Sequence, residues 1–163
     1  MEQQMIGEKN NAAKYAFFYM LSLVALIFMA LSAGIIVFQI INKNIVDALE
    51  NFRGSYNSGA LKFAISAIII AAPIYYLTAF QINKNLFSGK LSKDSGIRKW
   101  LTYFILLVST IVMLGFLVAV VYNFLDGELT TKFILKALTA IIIAAAIFTY
   151  YFYDIRRENV AGV

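Results

Sequence analysis

The side chains that could form a polar binding site within the apolar part of the chain lie around its single proline. Pro73 stands midway along an apolar run, where it removes one backbone N–H and clashes with the carbonyl of Ile69, so we expect a kinked helix. Tyr75 and Tyr76 follow directly, and a buried tyrosine hydroxyl needs a hydrogen-bond partner. One interpretation is a small polar pocket, and the alternative is a tolerated kink whose hydroxyls bond neighbouring backbone. The candidate pocket residues are Pro73, Tyr75, Tyr76, Ser66 and Thr139.

The sequence lacks the residue types that several other kinds of site require. The chain has no cysteine and no histidine, which excludes disulfides, thiolate nucleophiles, histidine-ligated haem or zinc, and histidine acid–base catalysis. The apolar runs also lack a charged side chain near their middle, where a proton relay or an ion path normally needs one. We therefore expect no enzyme activity, no cofactor, and no catalytic or metal-binding residues.

The elements that must position these groups are long apolar runs. Apolar residues make up 61% of the chain and charged residues 14%, against about 45–50% and 25% in a soluble domain. Four runs of 22 to 27 residues each exceed the roughly 20 needed to cross the bilayer core, and in lipid they must be helices. They cover residues 15–41, 61–82, 100–124 and 133–155. The prediction is one all-α integral membrane domain, 1–163, folded as a four-transmembrane-helix bundle.

The first run could instead belong to a cleaved signal peptide, because Lys9 and Lys14 precede it. Its apolar stretch continues well past the candidate cleavage sequence at 30–33, as far as Ile41. We therefore expect an uncleaved span.

The distribution of basic residues predicts the orientation. Nine Lys and Arg residues fall in the N-terminal segment, the 83–99 loop and the C-terminal tail, against five on the other side. Because cytoplasmic loops are enriched in these residues, both termini should be cytoplasmic. On the outer side, Ile45, Leu49 and Phe52 share one helical face and predict a short surface helix. The 125–129 segment predicts a tight turn.

The loop between the second and third runs holds five of the nine inner charges. They should attract anionic lipid headgroups or an acidic partner at about 1 kcal/mol per basic residue, although they could simply set the topology. Nucleic-acid binding is not expected, because no basic face with interleaved aromatic residues exists outside the loops. The five basic residues are Lys84, Lys90, Lys93, Arg98 and Lys99.

The chain carries signs of an internal duplication. A shift of 73 residues aligns 62–83 with 135–156 and gives nine identities in 22 positions, including Ile68–Ala72 with Ile141–Ala145. A shift of 85 aligns the small-residue pairs of the first and third runs. Two helical hairpins of one orientation, related by a pseudo-twofold axis along the membrane normal, would produce this pattern.

Each run also carries one pair of small residues four positions apart. Lipid gives helices no hydrophobic reason to associate, so such pairs promote close backbone approach and are typical packing faces. The predicted packing residues are Ala30, Gly34, Ala67, Ala71, Gly115, Ala119, Ala140 and Ala144.

Three segments, Tyr150–Arg157, Ile82–Leu86 and Arg98–Thr102, give the chain a resemblance to a known family. It resembles a bacterial family described as domain of unknown function 5671, over nearly all of the chain beyond residue 12. The resemblance implies a small prokaryotic four-pass membrane protein and brings no activity or catalytic residues.

Three functional hypotheses follow, of which an enzyme ranks last because neither metal ligands nor a nucleophile–base pair can be assembled within the spans. The first is a structural or accessory membrane protein that binds another membrane protein, through its small-residue faces or its basic loop. Self-association into a homo-oligomer is also open. The alternative is a pathway for a small solute or ion along the pseudo-twofold axis.

Overall fold

Four long helices make up the protein in a computed structural model that describes residues 2–45, 55–87 and 96–161. They are α1 (Glu2–Asn44), α2 (Ser58–Phe87), α3 (Gly96–Leu125) and α4 (Thr131–Ala161). Each contains one predicted span and is long and apolar enough to cross a membrane. The all-α membrane fold is therefore confirmed, and the described residues contain no strand. The short helix predicted around Leu49 and Phe52 lies outside the described residues.

Side-chain caps and a glycine define the helix ends on the side away from the termini. Asn57 Oδ1 accepts the backbone N–H groups of Gly59 and Ala60 at 2.9 and 3.1 Å and so caps α2. Thr130 Oγ1 accepts the N–H of Phe133 at 3.2 Å and caps α4. Gly127, at φ 71°, occupies the left-handed region that ends α3 and makes the tight turn predicted there.

The helices pack as two hairpins that meet along α1 and α4. α1 packs mainly on α2, and α3 packs on α4. α1 also contacts α4 and, over a shorter stretch, α3, whereas α2 has no close backbone approach to α3 or α4 within the described ranges. A Cβ added to Gly34 would lie 3.8 Å from Ile143 Cδ1, in ordinary contact across the α1–α4 junction. α1 therefore contacts all three other helices, and α3 and α4 pack on each other.

Small side chains fill the helix interfaces, and large apolar ones face outward. Ala64 and Ala137 are 0% and 1% exposed, whereas Ile69, Leu77 and many other aliphatic or aromatic side chains are more than half exposed. That distribution would be unstable in water but suits a chain whose solvent is lipid. Ala71 and Ala144 are also buried, so the 73-residue shift relates two pairs of buried alanines. The duplication itself stays a prediction.

Candidate functional site

All four helices contribute polar side chains to one small cavity of about 90 Å³. It lies at the end of the bundle where α2 ends and α3 begins, since Asn83 near the end of α2 and Arg98 near the start of α3 both line it. Nine of its fourteen lining residues are polar, in contrast to the apolar helix faces around it. The polar lining residues are Tyr19, Ser22, Tyr75, Asn83, Arg98, Thr102, Tyr150, Tyr151 and Asp154.

An ion pair joins α3 to α4 at this cavity. Arg98 Nη2 donates to Asp154 Oδ2 at 3.1 Å, and the two side chains are 13% and 46% exposed. Because the carboxylate is nearly half exposed, solvent screening keeps the contribution of the pair to folding stability small. Its main effect is to hold the guanidinium of Arg98 at the mouth of the cavity.

Two tyrosines bridge helices whose backbones do not approach each other closely. The hydroxyl oxygens of Tyr75 on α2 and Tyr151 on α4 are 3.4 Å apart, which is a long hydrogen bond. The neighbouring threonine hydroxyls are bonded within their own helices, Thr78 to the carbonyls of Ile74 and Tyr75 and Thr102 to that of Arg98. The tyrosine pair therefore links α2 to α4 at the cavity.

A second, larger space is an apolar cleft of about 270 Å³ between α1, α3 and α4. Among the residues that line the cleft, Ser109 alone carries a polar side chain. The cleft exists because the residues that α1 and α4 contribute include several small ones. Leu23 and Ile105 line both the cleft and the polar cavity, so the two spaces adjoin. The other lining residues are Leu26, Ile27, Ala30, Leu31, Gly34, Ile35, Phe38, Phe104, Val108, Val112, Phe116, Ala140, Ile143, Ala144 and Ile147.

The residues proposed to surround Pro73 do not lie together at either space. Tyr75 lines the polar cavity, but Pro73 and Ser66 are exposed and Tyr76 is 67% exposed. Thr139 is half-buried and its hydroxyl donates to the carbonyl of Leu135 at 2.8 Å. Helix α2 continues through Pro73 from Ser58 to Phe87.

The small-residue pairs have different surroundings. Ala30 and Gly34 on α1, with Ala140 and Ala144 on α4, line the apolar cleft. On α2, Ala71 is buried and Ala67 half-buried, next to α1. On α3, Ala119 is half-buried, whereas Gly115 is exposed and a Cβ added there would meet nothing within 4 Å.

The basic loop residues are only partly described. Lys84 near the end of α2 and Lys99 near the start of α3 are exposed, whereas Arg98 lines the polar cavity. Lys90 and Lys93 lie outside the described residues.

Sequence reasoning missed most of the polar cavity. The residue pattern alone predicted no part in a site for Asp154, Tyr19 or Tyr151, all of which line the cavity. The available signal was that Arg98 shortly precedes the third predicted span and Asp154 lies at the end of the fourth, so antiparallel packing of these neighbours places the two residues at a similar depth. Within the described ranges, no group of three or more acidic, histidine or cysteine side chains could hold a metal ion.

Comparison with known proteins adds a family but no activity. No curated protein and no solved structure matches the chain. A family model matches residues 15–151, which include most of the four helices and nearly all of the cavity and cleft residues. The chain belongs to the family described as Domain of unknown function (DUF5671).

Proposed function

We propose that the protein is an accessory membrane protein that acts by binding a membrane-embedded partner in the apolar cleft between α1, α3 and α4. The observation that carries this proposal is the size and lining of the cleft, about 270 Å³ with one polar side chain. Packed protein interiors contain few voids larger than a water molecule. A space of this size, mostly apolar and adjoining a few polar groups, has the character of a ligand site.

The transport alternative receives less support from the same geometry. The polar cavity lies at one end of the bundle, and the space that adjoins it beyond Leu23 and Ile105 has an almost wholly apolar lining. An ion or polar solute would have to leave its hydration shell there without compensating hydrogen bonds, at a cost of several kcal/mol. The described helices therefore favour binding over conduction.

Location and orientation form part of the proposal. The apolar helices and the excess of basic residues on the side of the termini support a membrane-spanning protein with both termini in the cytoplasm. The family resemblance of the sequence implies that the membrane is a bacterial cytoplasmic membrane. The polar cavity would then lie at the level of the inner-leaflet headgroups.

A photo-crosslinker placed in the cleft tests the proposal. Phe104 lines the cleft, whereas its neighbour Tyr103 is exposed at the same depth and does not line it. With p-benzoylphenylalanine in place of Phe104, we expect irradiated cells to yield one discrete adduct, at several times the yield obtained from the same replacement of Tyr103. Mass spectrometry of the purified protein measures both yields.

Two further substitutions show whether the adduct forms inside the cleft. Val108 lines the cleft, and Leu107 beside it is exposed outside it. Val108→Phe should fill the cleft and remove the adduct, whereas Leu107→Phe should leave it. Equal adducts from positions 103 and 104, or an adduct that persists in Val108→Phe, would refute binding in the cleft.

A further inference from the structure

We infer that the partner is a single phospholipid with an anionic headgroup, one of whose acyl chains lies in the apolar cleft and whose phosphate lies against Arg98 in the polar cavity. The inference rests on the proposed function and names its partner. It depends on the cleft and the cavity being one continuous site, polar at one end and apolar along the rest.

The first support is the order of the two spaces along the membrane normal. The cavity contacts α1 at Tyr19, Ser22 and Leu23, and the cleft continues from Leu23 as far as Phe38. Over that distance α1 advances about 22 Å. One leaflet of the hydrocarbon core is about 15 Å thick, so the cleft is long enough for the acyl chain of a lipid whose headgroup occupies the cavity.

The second support is the change of lining along the site. A transmembrane helix seated there would bring an apolar surface against Arg98 and Asp154 and strip water from both charges. An amphipathic lipid instead matches the change of lining from apolar to polar.

The third support is charge. Of the side chains described at this end of the bundle, Asp154 is the acidic one, while several are basic. An arginine guanidinium matches the geometry of a phosphate group and donates two parallel hydrogen bonds to it. Asp154 positions this guanidinium at 3.1 Å, and tyrosine and threonine hydroxyls lie in the same cavity. The basic residues are Lys14, Lys84, Arg98, Lys99 and Arg156.

Exposed aromatic side chains indicate how deep in the membrane the site lies. Trp100 and Tyr103 lie near the start of α3, close in sequence to Arg98, and Tyr153 precedes Asp154 on α4. All three side chains are more than half exposed. Tryptophan and tyrosine concentrate at the headgroup level of membrane proteins. Arg98 therefore lies where a lipid phosphate would be found.

Lipid titration of the purified, full-length protein tests the inference. Native mass spectrometry should show one dioleoyl phosphatidylglycerol per chain, bound at least about tenfold more tightly than dioleoyl phosphatidylcholine, which has the same acyl chains. Val108→Phe should weaken the binding of both lipids, whereas the matched Leu107→Phe should leave the binding of both unchanged. Inorganic phosphate should not displace the lipid, because it lacks the acyl chain.

Two opposite charge changes separate a headgroup contact from a structural role of the ion pair. Arg98→Gln should abolish the preference for phosphatidylglycerol, while Arg156→Gln, an exposed arginine at the same end, should retain it. Asp154→Asn keeps an oxygen that can accept from Arg98 and removes the negative charge beside the phosphate, so it should strengthen binding of the anionic lipid. A purely structural ion pair predicts that Arg98→Gln and Asp154→Asn weaken binding alike. Arg98→Lys keeps the positive charge and should retain part of the preference.

The outcomes distinguish this inference from the proposed function. Equal affinity for the two lipids, equal effects of Arg98→Gln and Arg156→Gln, or displacement by inorganic phosphate would overturn the anionic-lipid site. If the crosslinker at Phe104 captured a protein while no lipid bound at one per chain, the inference would fall and the proposed function would stand. If neither adduct nor lipid appeared, both would fall.

Discussion

Leucine at Ala64 should lower the free energy of unfolding by about 2 kcal/mol, the usual cost of adding methylenes to a packed interface. Ala64 is 0% exposed on α2, a helix that approaches only α1 closely within the described ranges. Lipid-solvated helices associate through close packing of small residues, so a larger side chain must separate α1 from α2. Titration with sodium dodecyl sulfate, followed by far-ultraviolet circular dichroism, measures the change.

Ala146→Leu provides the matched control, because Ala146 is exposed on α4 and the substitution is identical. Leucine there should change the free energy of unfolding by no more than about 0.5 kcal/mol. Equal destabilisation by the two substitutions would show that Ala64 does not lie in a tight interface and would contradict the described packing of α1 against α2.

A second large effect is expected from single-cysteine labelling, because the chain has no cysteine of its own. Asp126 lies in the exposed turn between α3 and α4, and Ser92 lies in the basic segment of the sequence between the second and third predicted spans, outside the described residues. In intact spheroplasts, a membrane-impermeant maleimide should label Asp126→Cys completely and Ser92→Cys only after lysis. The reason is that the basic loop is expected to be cytoplasmic.

Ala144→Cys controls for burial within the bundle, since Ala144 is 5% exposed. It should stay unlabelled before and after lysis. Labelling of Ser92→Cys in intact spheroplasts, with Asp126→Cys protected, would reverse the orientation and move the polar cavity to the outer face.

The four spans could be predicted from the sequence because membrane crossing depends on properties summed over a whole segment. Length and apolarity located all four helices, and the turn around Gly127 agrees with the structure. What could not be predicted is the rotation of each helix about its own axis. When apolar residues surround a helix, the pattern does not show which face meets another helix.

Particular residues show the consequence. Gly115 and Ala119 have the same spacing as Ala30 and Gly34, yet Gly115 is exposed on α3 while Ala30 and Gly34 line the cleft. Tyr75 and Tyr76 are adjacent in sequence, but the 100° turn per residue sends one into the cavity and the other outward. The Arg98–Asp154 pair is separated by 56 residues and depends on how α3 packs against α4.

The most direct test of the central claim, a membrane-embedded partner held in the cleft, is a crystal structure grown from a lipid mesophase doped with phosphatidylglycerol. The account predicts continuous chain-like density from the level of Leu23 toward Phe38, ending in a phosphate against Arg98. A cleft closed by direct packing of α1 against α3, or density that never enters between α1, α3 and α4, would contradict it.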